Sequence, residues 1–351
     1  MKLFTIGPAE MYPSTLKIKA EPVPYFRTEE FSNLMLETDQ LLKKLIGTTE
    51  NAKSVFLTAS GSGAMEATVM NCFDQKDRLL IISGGTFGER FEEICNVHNI
   101  EHETIKLKFG ETLTREHFKG YEHAKLTGVL VNLHETSTGQ LYDIGIISDF
   151  CKRNELFLVV DAITVFLCDP YNMEKYNIDA TIISSQKGLC LSPGLSIVVL
   201  SEHMIEKVEK VKSKSLYFDF KDYLENIKRG QTPFTPCVGI LYELNDMLKL
   251  LAKEGIDKRL EKVKLLCDHF RNLILDLPIS IPKYPLSNGM TPIIFEKDIA
   301  KEVFEDLKNK YSIYVNPTGG AIKERLVRIA HIGNLTVDDN KMLIEHLKHY
   351  V

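Results

Sequence analysis

The chain has 351 residues, enough for one large domain and a smaller one. Its formal net charge of −5 gives no electrostatic reason to expect nucleic acid or an anionic membrane as a partner. No apolar run approaches the roughly 20 residues that span a bilayer, and the first residues lack the apolar core of a signal peptide. We therefore expect a cytoplasmic globular protein. Its seven cysteines are scattered, which predicts neither disulfides nor a metal site.

The first segments predict an extended arm followed by a packing helix. Gly7-Pro8 and Pro13 interrupt residues 3–13, so this stretch is predicted to be extended rather than helical. From Phe31 to Leu45, apolar residues recur at helical spacing, and the pattern stops at Gly47. This spacing predicts a helix that packs along one face.

Two strand–turn–helix units come next. In SVFLTASGSGAMEA, a short strand runs into the small residues Ser60, Gly61 and Ser62 before a helix. Free backbone N–H groups at such a helix start form an anion site suited to phosphate, although turns of small residues before helices are also common without a ligand. In RLLIISGGTFGER, Phe87 lies at the second strand-to-helix junction. Its side chain is expected either in ordinary core packing or on the ligand side of the sheet.

Asp161 follows a continuous apolar strand, the run from Phe157 to Val160. A polar residue at the carboxyl end of such a strand points into the crevice where open parallel sheets bind ligands. The alternative is that Asp161 caps the next helix. Because strands of this kind alternate with helices, such as the one predicted over residues 144–153, the sequence predicts a largely parallel sheet.

Lys187 lies in the loop SSQKGLCLSPG between two apolar strands, predicted at residues 180–184 and 195–200. It is the only cation for ten residues on either side. Buried lysine is costly, so two roles fit: an ion pair with a buried carboxylate, or an amine of lowered pKa that forms a Schiff base with a carbonyl. With Asp161 one βα step earlier, the pair suits pyridoxal phosphate (PLP), the acid on the ring nitrogen and the amine on the aldehyde.

The chain changes character after Leu200. Residues 215–236 are predicted to form an irregular, aromatic-rich connection that ends in a rigid loop, because Pro233 and Pro236 remove backbone donors. Two long helical patterns follow from Val238, and alternating short strands and helices then predict a compact α+β unit. Arg328 lies in an apolar β-type run and needs an anionic partner, for which a structural salt bridge is the ordinary expectation.

Six motifs occur in the order and spacing of the class V aminotransferases: GSGAMEA, GGTFGER, HETSTG, VVDAITVF, SSQKGLCLSPG and RGQTPFTP. The chain resembles the branch that contains alanine–glyoxylate, serine–pyruvate and 2-aminoethylphosphonate–pyruvate aminotransferases, from Gly7-Pro8 to the region of Arg328. The resemblance implies an α/β fold, PLP fold type I, whose large domain has a mostly parallel central sheet flanked by helices. The implied divisions are an arm at residues 1–20, the large PLP-binding domain at residues 21–245 and a smaller C-terminal α+β domain at residues 246–351.

The resemblance also implies a role for each motif residue. Lys187 would hold PLP as a Schiff base and move a proton, while Asp161 would keep the ring nitrogen protonated. Gly7 and Arg328 would contact substrate, the latter through its carboxylate. Thr232 and Thr235 would reach the phosphate of the partner subunit, so that a homodimer shares its active sites. The other implied cofactor contacts are Ser60, Gly61, Ser62 and Gln186 at the phosphate, Phe87 and Ile163 on the ring faces, and Thr136 near the ring.

The implied reaction moves an amino group from a small donor of the alanine or serine type to a 2-oxo acid such as glyoxylate or pyruvate. A 2-aminoethylphosphonate–pyruvate aminotransferase is the alternative, which Gln186 disfavours because that group usually has Asn there. A cysteine desulfurase needs a nucleophilic cysteine late in the chain, and none follows Cys267. A non-catalytic relative would fit the loss of Lys187 or Asp161, and both are present. Where the family usually has His, this chain has Leu133, so the neighbouring His134 is given no catalytic role.

Overall fold

The computed structural model describes residues 1–122, 124–319 and 322–351, and these residues form two main β-sheets. The strands are Lys2–Phe4 (β1), Lys53–Leu57 (β2), Arg78–Ser83 (β3), Glu101–Lys106 (β4), Gly128–Asn132 (β5), His134–Glu135 (β6), Gln140–Leu141 (β7), Phe157–Asp161 (β8), Ala180–Ser184 (β9), Ser196–Leu200 (β10), Ile279–Ser280 (β11), Met290–Phe295 (β12), Ile313–Pro317 (β13) and Leu326–Ala330 (β14). The α-helices are Pro13–Lys19 (α1), Glu29–Ile46 (α2), Gly61–Cys72 (α3), Thr86–His98 (α4), Ile144–Arg153 (α5), Glu202–Lys210 (α6), Phe220–Ile227 (α7), Val238–Glu254 (α8), Ile256–Leu273 (α9), Ala300–Tyr311 (α10) and Val337–Leu347 (α11). A 3-10 helix spans Arg115–Tyr121.

The seven-stranded sheet has the order β2-β10-β9-β8-β5-β3-β4. Strand β10 runs antiparallel to both of its neighbours, and the remaining pairs are parallel. Strands β5, β9 and β10 are buried along their whole length, as expected of strands covered by helices on both faces. The prediction of an α/β fold with a mostly parallel central sheet is confirmed, and the carboxyl ends of β5, β8 and β9 meet at one edge.

The five-stranded sheet has the order β1-β13-β14-β12-β11. Its first strand comes from the N-terminal segment, because β1 pairs in parallel with β13, whereas the other four strands lie within residues 279–330. Phe4 packs with Phe270 and Phe295 in the core of this sheet. No helix forms between β1 and α1, which begins only at Pro13, and the chain bends at residues 6–8. The predicted domain boundary at residues 245 and 246 falls inside α8.

The long helices occupy the predicted segments. Helix α2 begins after Thr28, whose side chain accepts a hydrogen bond from the Phe31 N–H (3.2 Å), and it ends at Gly47 in the left-handed conformation (φ 68°). Helix α5 has the predicted bounds, and α8 and α9 fill the two long patterns after Cys237. Among the residues that the structure describes, no helix is both long and apolar enough to cross a membrane.

The connection over residues 215–236, predicted to be irregular, contains helix α7. Asp219 caps this helix by accepting a hydrogen bond from the Lys221 N–H (3.1 Å). Its apolar residues recur at positions i, i+3, i+4 and i+7 and are all buried: Phe220, Tyr223, Leu224 and Ile227. The prediction was wrong for these eight residues, because this buried face stabilises a helix despite the prolines that follow.

Candidate active site

A cavity of about 180 Å³ opens at the edge of the sheet where β5, β8 and β9 end. The predicted site residues that line it are Ser60, Gly61, Ser62, Phe87, Thr136, Asp161, Ile163, Gln186 and Lys187. Met65, Asn132 and Thr164 also line it, and the sequence did not single them out. A larger cleft, of about 830 Å³, lies beside Glu155 and His203. It is at the amino-terminal ends of β8 and β9, whereas open sheets bind ligands at the carboxyl ends.

Asp161 is the last residue of β8, and its side chain is almost fully buried. Its Oδ2 accepts a hydrogen bond from Asn132 Nδ2 (2.7 Å), and its Oδ1 accepts one from the Ile163 N–H (2.9 Å). Burial raises the pKa of this carboxyl to about 6, although both hydrogen bonds act in the opposite direction. Asp161 therefore supports the turn that follows it and also presents an acid to the cavity.

Asn132 was missed, yet its position follows from the sheet. It ends β5, and the parallel register pairs Asn132 with Asp161 on β8. The sequence contained a signal for it, a polar residue that ends a fully apolar strand. Its Oδ1 is buried and has no hydrogen-bond partner among the described residues, so this side chain holds the carboxylate through its amide nitrogen alone.

Lys187 lies in the loop between β9 and β10, and its side chain is partly exposed to the cavity. Burial and, to a smaller extent, the positive charge of Arg328 lower the pKa of its amine, and Asp161 acts in the opposite direction; the resulting pKa is about 8. Within the described ranges no carboxylate oxygen lies close enough to Lys187 to form an ion pair, and the Asp161 charge acts on the amine at longer range. An ion pair, the structural role considered for this lysine, is absent from that part of the chain.

The N-terminal segment passes directly over Lys187. A Cβ added to Gly7 would lie 2.5 Å from Lys187 Nζ and 2.6 Å from Cε, so any larger residue at position 7 would displace the amine. The Ala9 N–H also donates to the Gln186 carbonyl (3.0 Å). Gly7 is thus placed against the predicted reactive lysine, as the resemblance implied for a residue near the substrate.

The start of α3 forms a cradle of donors on one side of the cavity. Ser60 caps the helix, and the backbone N–H groups of the first turn have no partner within the helix. Gln186 accepts a hydrogen bond from Ser184 Oγ (2.7 Å) through its amide oxygen, which leaves its amide nitrogen free to donate. A Cβ on Gly61 would lie 2.5 Å from Ile163 Cδ1, so only glycine allows this approach. Hydroxyl, amide and backbone donors fit the phosphate of PLP.

Glu135, the last residue of the short strand β6 that follows β5, was not assigned a role from the sequence. Its buried carboxylate accepts hydrogen bonds from the backbone N–H groups of Phe87 (3.1 Å), Gly88 (3.0 Å) and Ser137 (3.1 Å), and from the Ser137 hydroxyl. Burial raises the pKa of this carboxyl, and the same hydrogen bonds lower it. Because two of the donors lie in the first turn of α4, Glu135 fixes the backbone that carries the Phe87 ring beside the cavity.

The neighbours of Glu135 have different surroundings. Thr136 is buried and lines the cavity. His134 is fully buried, with its Nδ1 3.3 Å from the Thr164 carbonyl oxygen, and burial lowers its pKa to about 3. It is therefore neutral at physiological pH and is not among the residues that line the cavity, in line with the absence of a catalytic assignment.

Arg328 lies in the middle of β14, with its guanidinium directed towards the loop after β5. Its Nη1 donates to the Thr136 carbonyl (2.8 Å), and its Nη2 donates to the Pro317 carbonyl. Its Nε is buried without a hydrogen-bond partner, and no carboxylate forms an ion pair with Arg328 in the described part of the chain. Burial lowers the pKa of the guanidinium to about 10. Arg328 therefore has two neutral acceptors and retains capacity for an anion.

Thr232 and Thr235 do not line the cavity of their own chain. Thr232 is buried, and its hydroxyl donates to the Phe234 carbonyl (2.7 Å), while Arg27 Nη1 donates to the Thr232 carbonyl (2.9 Å). Thr235 is exposed and lines a cleft of about 970 Å³ with an apolar wall that includes Val23 and Tyr25. The side chains of Val23 and Tyr25 are 68% and 69% exposed, so this face of the described chain is left without cover.

Comparisons with known proteins identify the family of this chain. The sequence model of the family described as aminotransferase class-V matches residues 24–317. An uncharacterized aminotransferase of Methanocaldococcus jannaschii is 32% identical over 338 residues, 93% of this chain and 86% of that protein. The L-aspartate–glyoxylate aminotransferase of Paracoccus denitrificans is 25% identical over 95% of this chain and 86% of its own. The crystal structure of alanine–glyoxylate aminotransferase from Nostoc sp. superimposes with a TM-score of 0.91 at 24% identity, covering 99% of this chain and 94% of that one. The protein belongs to the class V aminotransferases.

Proposed function

We propose that this aminotransferase binds PLP at Lys187 and transfers an amino group from a small donor of the alanine or serine type to a 2-oxo acid such as glyoxylate or pyruvate. One observation carries the proposal: an amine of lowered pKa without an acid partner shares a cavity with the buried carboxyl of Asp161. The family is PLP-dependent, and the relative from Paracoccus is named for glyoxylate as its acceptor.

The chemistry divides between the cofactor and the residues of the cavity. When bound, PLP supplies an electron-withdrawing ring that stabilises negative charge at the substrate carbon that loses a proton. Lys187 Nζ takes that proton and returns it, since a pKa of about 8 lets the amine act as base and then as acid near neutral pH. Asp161 accepts a hydrogen bond from the ring nitrogen, and Asn132 and the Ile163 N–H keep its carboxylate in place.

The remaining residues would hold the cofactor at its phosphate and ring, and the substrate at its carboxylate. The residues that would bind the phosphate are Ser60, Ser62, Gln186 and the first N–H groups of α3, and the Phe87 ring would pack against the pyridine ring. Arg328 exchanges its two carbonyl contacts for the substrate carboxylate, to which a guanidinium can donate two parallel hydrogen bonds. Gly7 covers Lys187 from the other side, where a larger side chain would displace the amine.

We propose that the site is completed by a second copy of the chain. The supporting observation is that Thr235 lies on an exposed apolar face away from its own cavity, where burial by a partner would be favourable. In such a homodimer Thr232 and Thr235 would reach the partner's phosphate. Arg27, which donates to the Thr232 and Pro233 carbonyls, would hold the loop that carries them.

The test is chemical trapping of the cofactor. Protein mixed with PLP and reduced with borohydride should carry one adduct, mapped by peptide mass spectrometry to Lys187. Lys187→Ala should give no adduct and no detectable transamination while the protein stays folded, because the change leaves a small residue in a loop. Lys264→Ala, a surface ion-pair partner of Asp268, is the matched control and should behave as wild type. An adduct on another lysine, or normal turnover by Lys187→Ala, would overturn the assignment.

The substrate class is tested by a donor screen. Alanine, serine, aspartate and 2-aminoethylphosphonate should be compared as donors to glyoxylate and to pyruvate, with kcat/KM as the measure. We expect alanine or serine to be the best donor. A higher kcat/KM with the phosphonate would replace the proposed substrate with the alternative one.

A further inference from the structure

Arg90 lies on α4 one turn after Phe87, within the GGTFGER motif, and none of the roles above uses it. Its Nη1 donates a hydrogen bond to Ser62 Oγ (2.9 Å). Its Nε is buried without a hydrogen-bond partner, and no carboxylate forms an ion pair with Arg90 among residues 1–122, 124–319 and 322–351. A half-buried guanidinium without an acid is costly unless another anion offsets its charge.

The position of Ser62 shows where that anion would lie. Ser62 lines the cavity and belongs to the first turn of α3, beside the free N–H groups. A hydroxyl has one hydrogen to donate and two lone pairs to accept with. Because Arg90 occupies a lone pair of Ser62 Oγ, the hydroxyl hydrogen remains for a ligand in the cavity.

The charge of the proposed ligand calls for such a cation. The phosphate of a phosphomonoester carries about −1.5 to −2 charges near pH 7. Besides Lys187, the described lining contains no cation, and its only other ionisable side chain is the Asp161 carboxyl. The Arg90 guanidinium, one hydrogen bond behind Ser62, is placed to supply positive charge on the α3 side.

We propose that Arg90 is a positioning residue for the cofactor phosphate: it orients the Ser62 hydroxyl as a donor and favours the dianionic form of the phosphate. The inference rests on the proposed function, since it needs the phosphate at the start of α3. The competing explanation is that Arg90 only ties α4 to α3, in which case the identity of the ligand in the cavity would make no difference.

Comparison of PLP with pyridoxal separates the two explanations, because pyridoxal lacks the phosphate. We expect Arg90→Gln and Ser62→Ala each to weaken PLP binding about tenfold or more, as loss of a hydrogen bond to a charged group does, and to leave pyridoxal affinity within about twofold. Arg90→Lys should recover part of the PLP affinity. Arg115→Gln, which breaks the surface pair with Asp149, is the control and should change neither affinity. Dissociation constants are measured by fluorescence titration of the cofactor-free protein.

Two further readouts address the mechanism. In the double variant, the loss should be smaller than the sum of the two single losses, because both changes remove one coupled interaction. Phosphorus NMR of bound PLP should show a phosphate that stays dianionic below pH 6 in the wild type, and that takes up its proton nearer the free value of about 6 in Arg90→Gln.

Three results would overturn the inference: unchanged PLP affinity in both Arg90 variants, equal losses for PLP and pyridoxal, or fully additive losses in the double variant. Failure of the proposed function itself would be visible separately. In that case wild-type protein would give no borohydride adduct at Lys187, whatever residue occupies position 90.

Discussion

Two segments at the same edge of the seven-stranded sheet differ in how many partners their charged side chain has. After β5, the Glu135 carboxylate accepts hydrogen bonds from the N–H groups of Phe87, Gly88 and Ser137 and from the Ser137 hydroxyl. After β9, the Lys187 amine has no carboxylate partner in the described part of the chain. A buried charged group whose hydrogen-bonding sites are already occupied has little capacity left to bind a ligand. The segment after β5 therefore fits a supporting role, whereas the loop after β9 leaves its amine available to react.

The backbone of the Lys187 loop is nevertheless held firmly. Glu243 on α8 accepts hydrogen bonds from the Ser192 N–H (2.8 Å) and hydroxyl (2.9 Å). Ser185 Oγ donates to the Ser192 carbonyl (2.6 Å), and the Cys190 N–H donates to the Lys187 carbonyl (2.8 Å). The groups that fix this loop are therefore separate from the group that can react. Its carbonyls and hydroxyls, together with the buried Glu243, hold the backbone, while the Lys187 amine remains without an acid partner among the described residues.

Asp161→Asn should show the largest effect, because Asp161 keeps a carboxyl in the cavity at a cost in stability. Burial raises its pKa from 3.8 to about 6, so the folded state holds its proton longer than the unfolded state. Stability therefore falls as pH rises from about 4 to 6, and the cost at pH 8 is about 3 kcal/mol. In the variant, Asn132 can rotate and present its unpartnered Oδ1 to the new amide. We expect the cofactor-free variant to be about 3 kcal/mol more stable at pH 8, while transamination is lost.

Urea unfolding of the cofactor-free protein at pH 8 and at pH 5 measures this effect. The gain should shrink at pH 5, where wild-type Asp161 is mostly protonated. Asp149→Asn, which changes an exposed ion-paired acid, should give no gain at pH 8 and serves as the control. A variant that is less stable than wild type at pH 8 would contradict the interpretation that this carboxyl is retained for function.

Arg328→Gln tests whether Arg328, which like Lys187 has no acid partner among the described residues, serves ligand binding and not stability. No described carboxylate is left unpaired by the change, so the Tm should barely move. If Arg328 binds the substrate carboxylate as proposed, the donor and the 2-oxo acid share this contact, and kcat/KM should fall by a similar factor for both, about a hundredfold. Arg325→Gln is the control, because Arg325 donates to the Phe295 carbonyl away from the cavity. A large fall in Tm with normal kinetics would return Arg328 to a structural role.

Most of the residues that line the cavity could be found from the sequence, because they lie at recognisable strand ends or helix starts, whereas Met65, Asn132 and Thr164 were not singled out. Asp161 ends an apolar strand, Ser60 to Ser62 open a helix, and Lys187 interrupts a long run without cations. In a parallel sheet these positions fall on one edge whatever the details of packing. The bounds of α5 and β9 were also predicted correctly, since their apolar patterns are uninterrupted.

The supporting residues could not be found in the same way. Glu135 and Arg90 act through contacts between different elements, 47 positions apart for Glu135 and Gly88 and 28 for Arg90 and Ser62. Such contacts depend on register and helix packing, which local patterns do not contain. The pairing of β1 with β13 spans most of the chain, and it brings the N-terminal segment into the small sheet. Helix α7 is different, because its buried spacing was present in the sequence and was overlooked.

Thr235→Val extends the comparison to a residue that acts, in our proposal, on the partner's cavity. The change keeps the shape and deletes a hydroxyl from an exposed position, so PLP affinity should fall about tenfold while the dimer persists. Thr232→Val should weaken PLP binding and also lower stability, because the Thr232 hydroxyl donates to the Phe234 carbonyl within its own chain. Light scattering gives the oligomeric state and fluorescence titration the affinity. A monomeric, fully active wild-type protein would refute the shared site.

The smallest effect concerns the pH at which Lys187 reacts. Its amine has a pKa of about 8, chiefly because burial disfavours the charged form, and next because Arg328 repels it. Only the neutral amine attacks the aldehyde of PLP, so the rate for cofactor-free protein should rise about fivefold from pH 7 to pH 8 and level off above pH 9. A lysine with an ordinary pKa would instead gain about tenfold per pH unit up to about pH 9, and its rate would keep rising towards about pH 11. Arg328→Gln should move the midpoint upward and Asp161→Asn downward, because these charges act on Lys187 with opposite signs. Stopped-flow absorbance measures the rate. If the rate shows no plateau by pH 10, the pKa of the Lys187 amine is not lowered as its surroundings require. The difference between Lys187 and Glu135 would then rest on their hydrogen bonds alone.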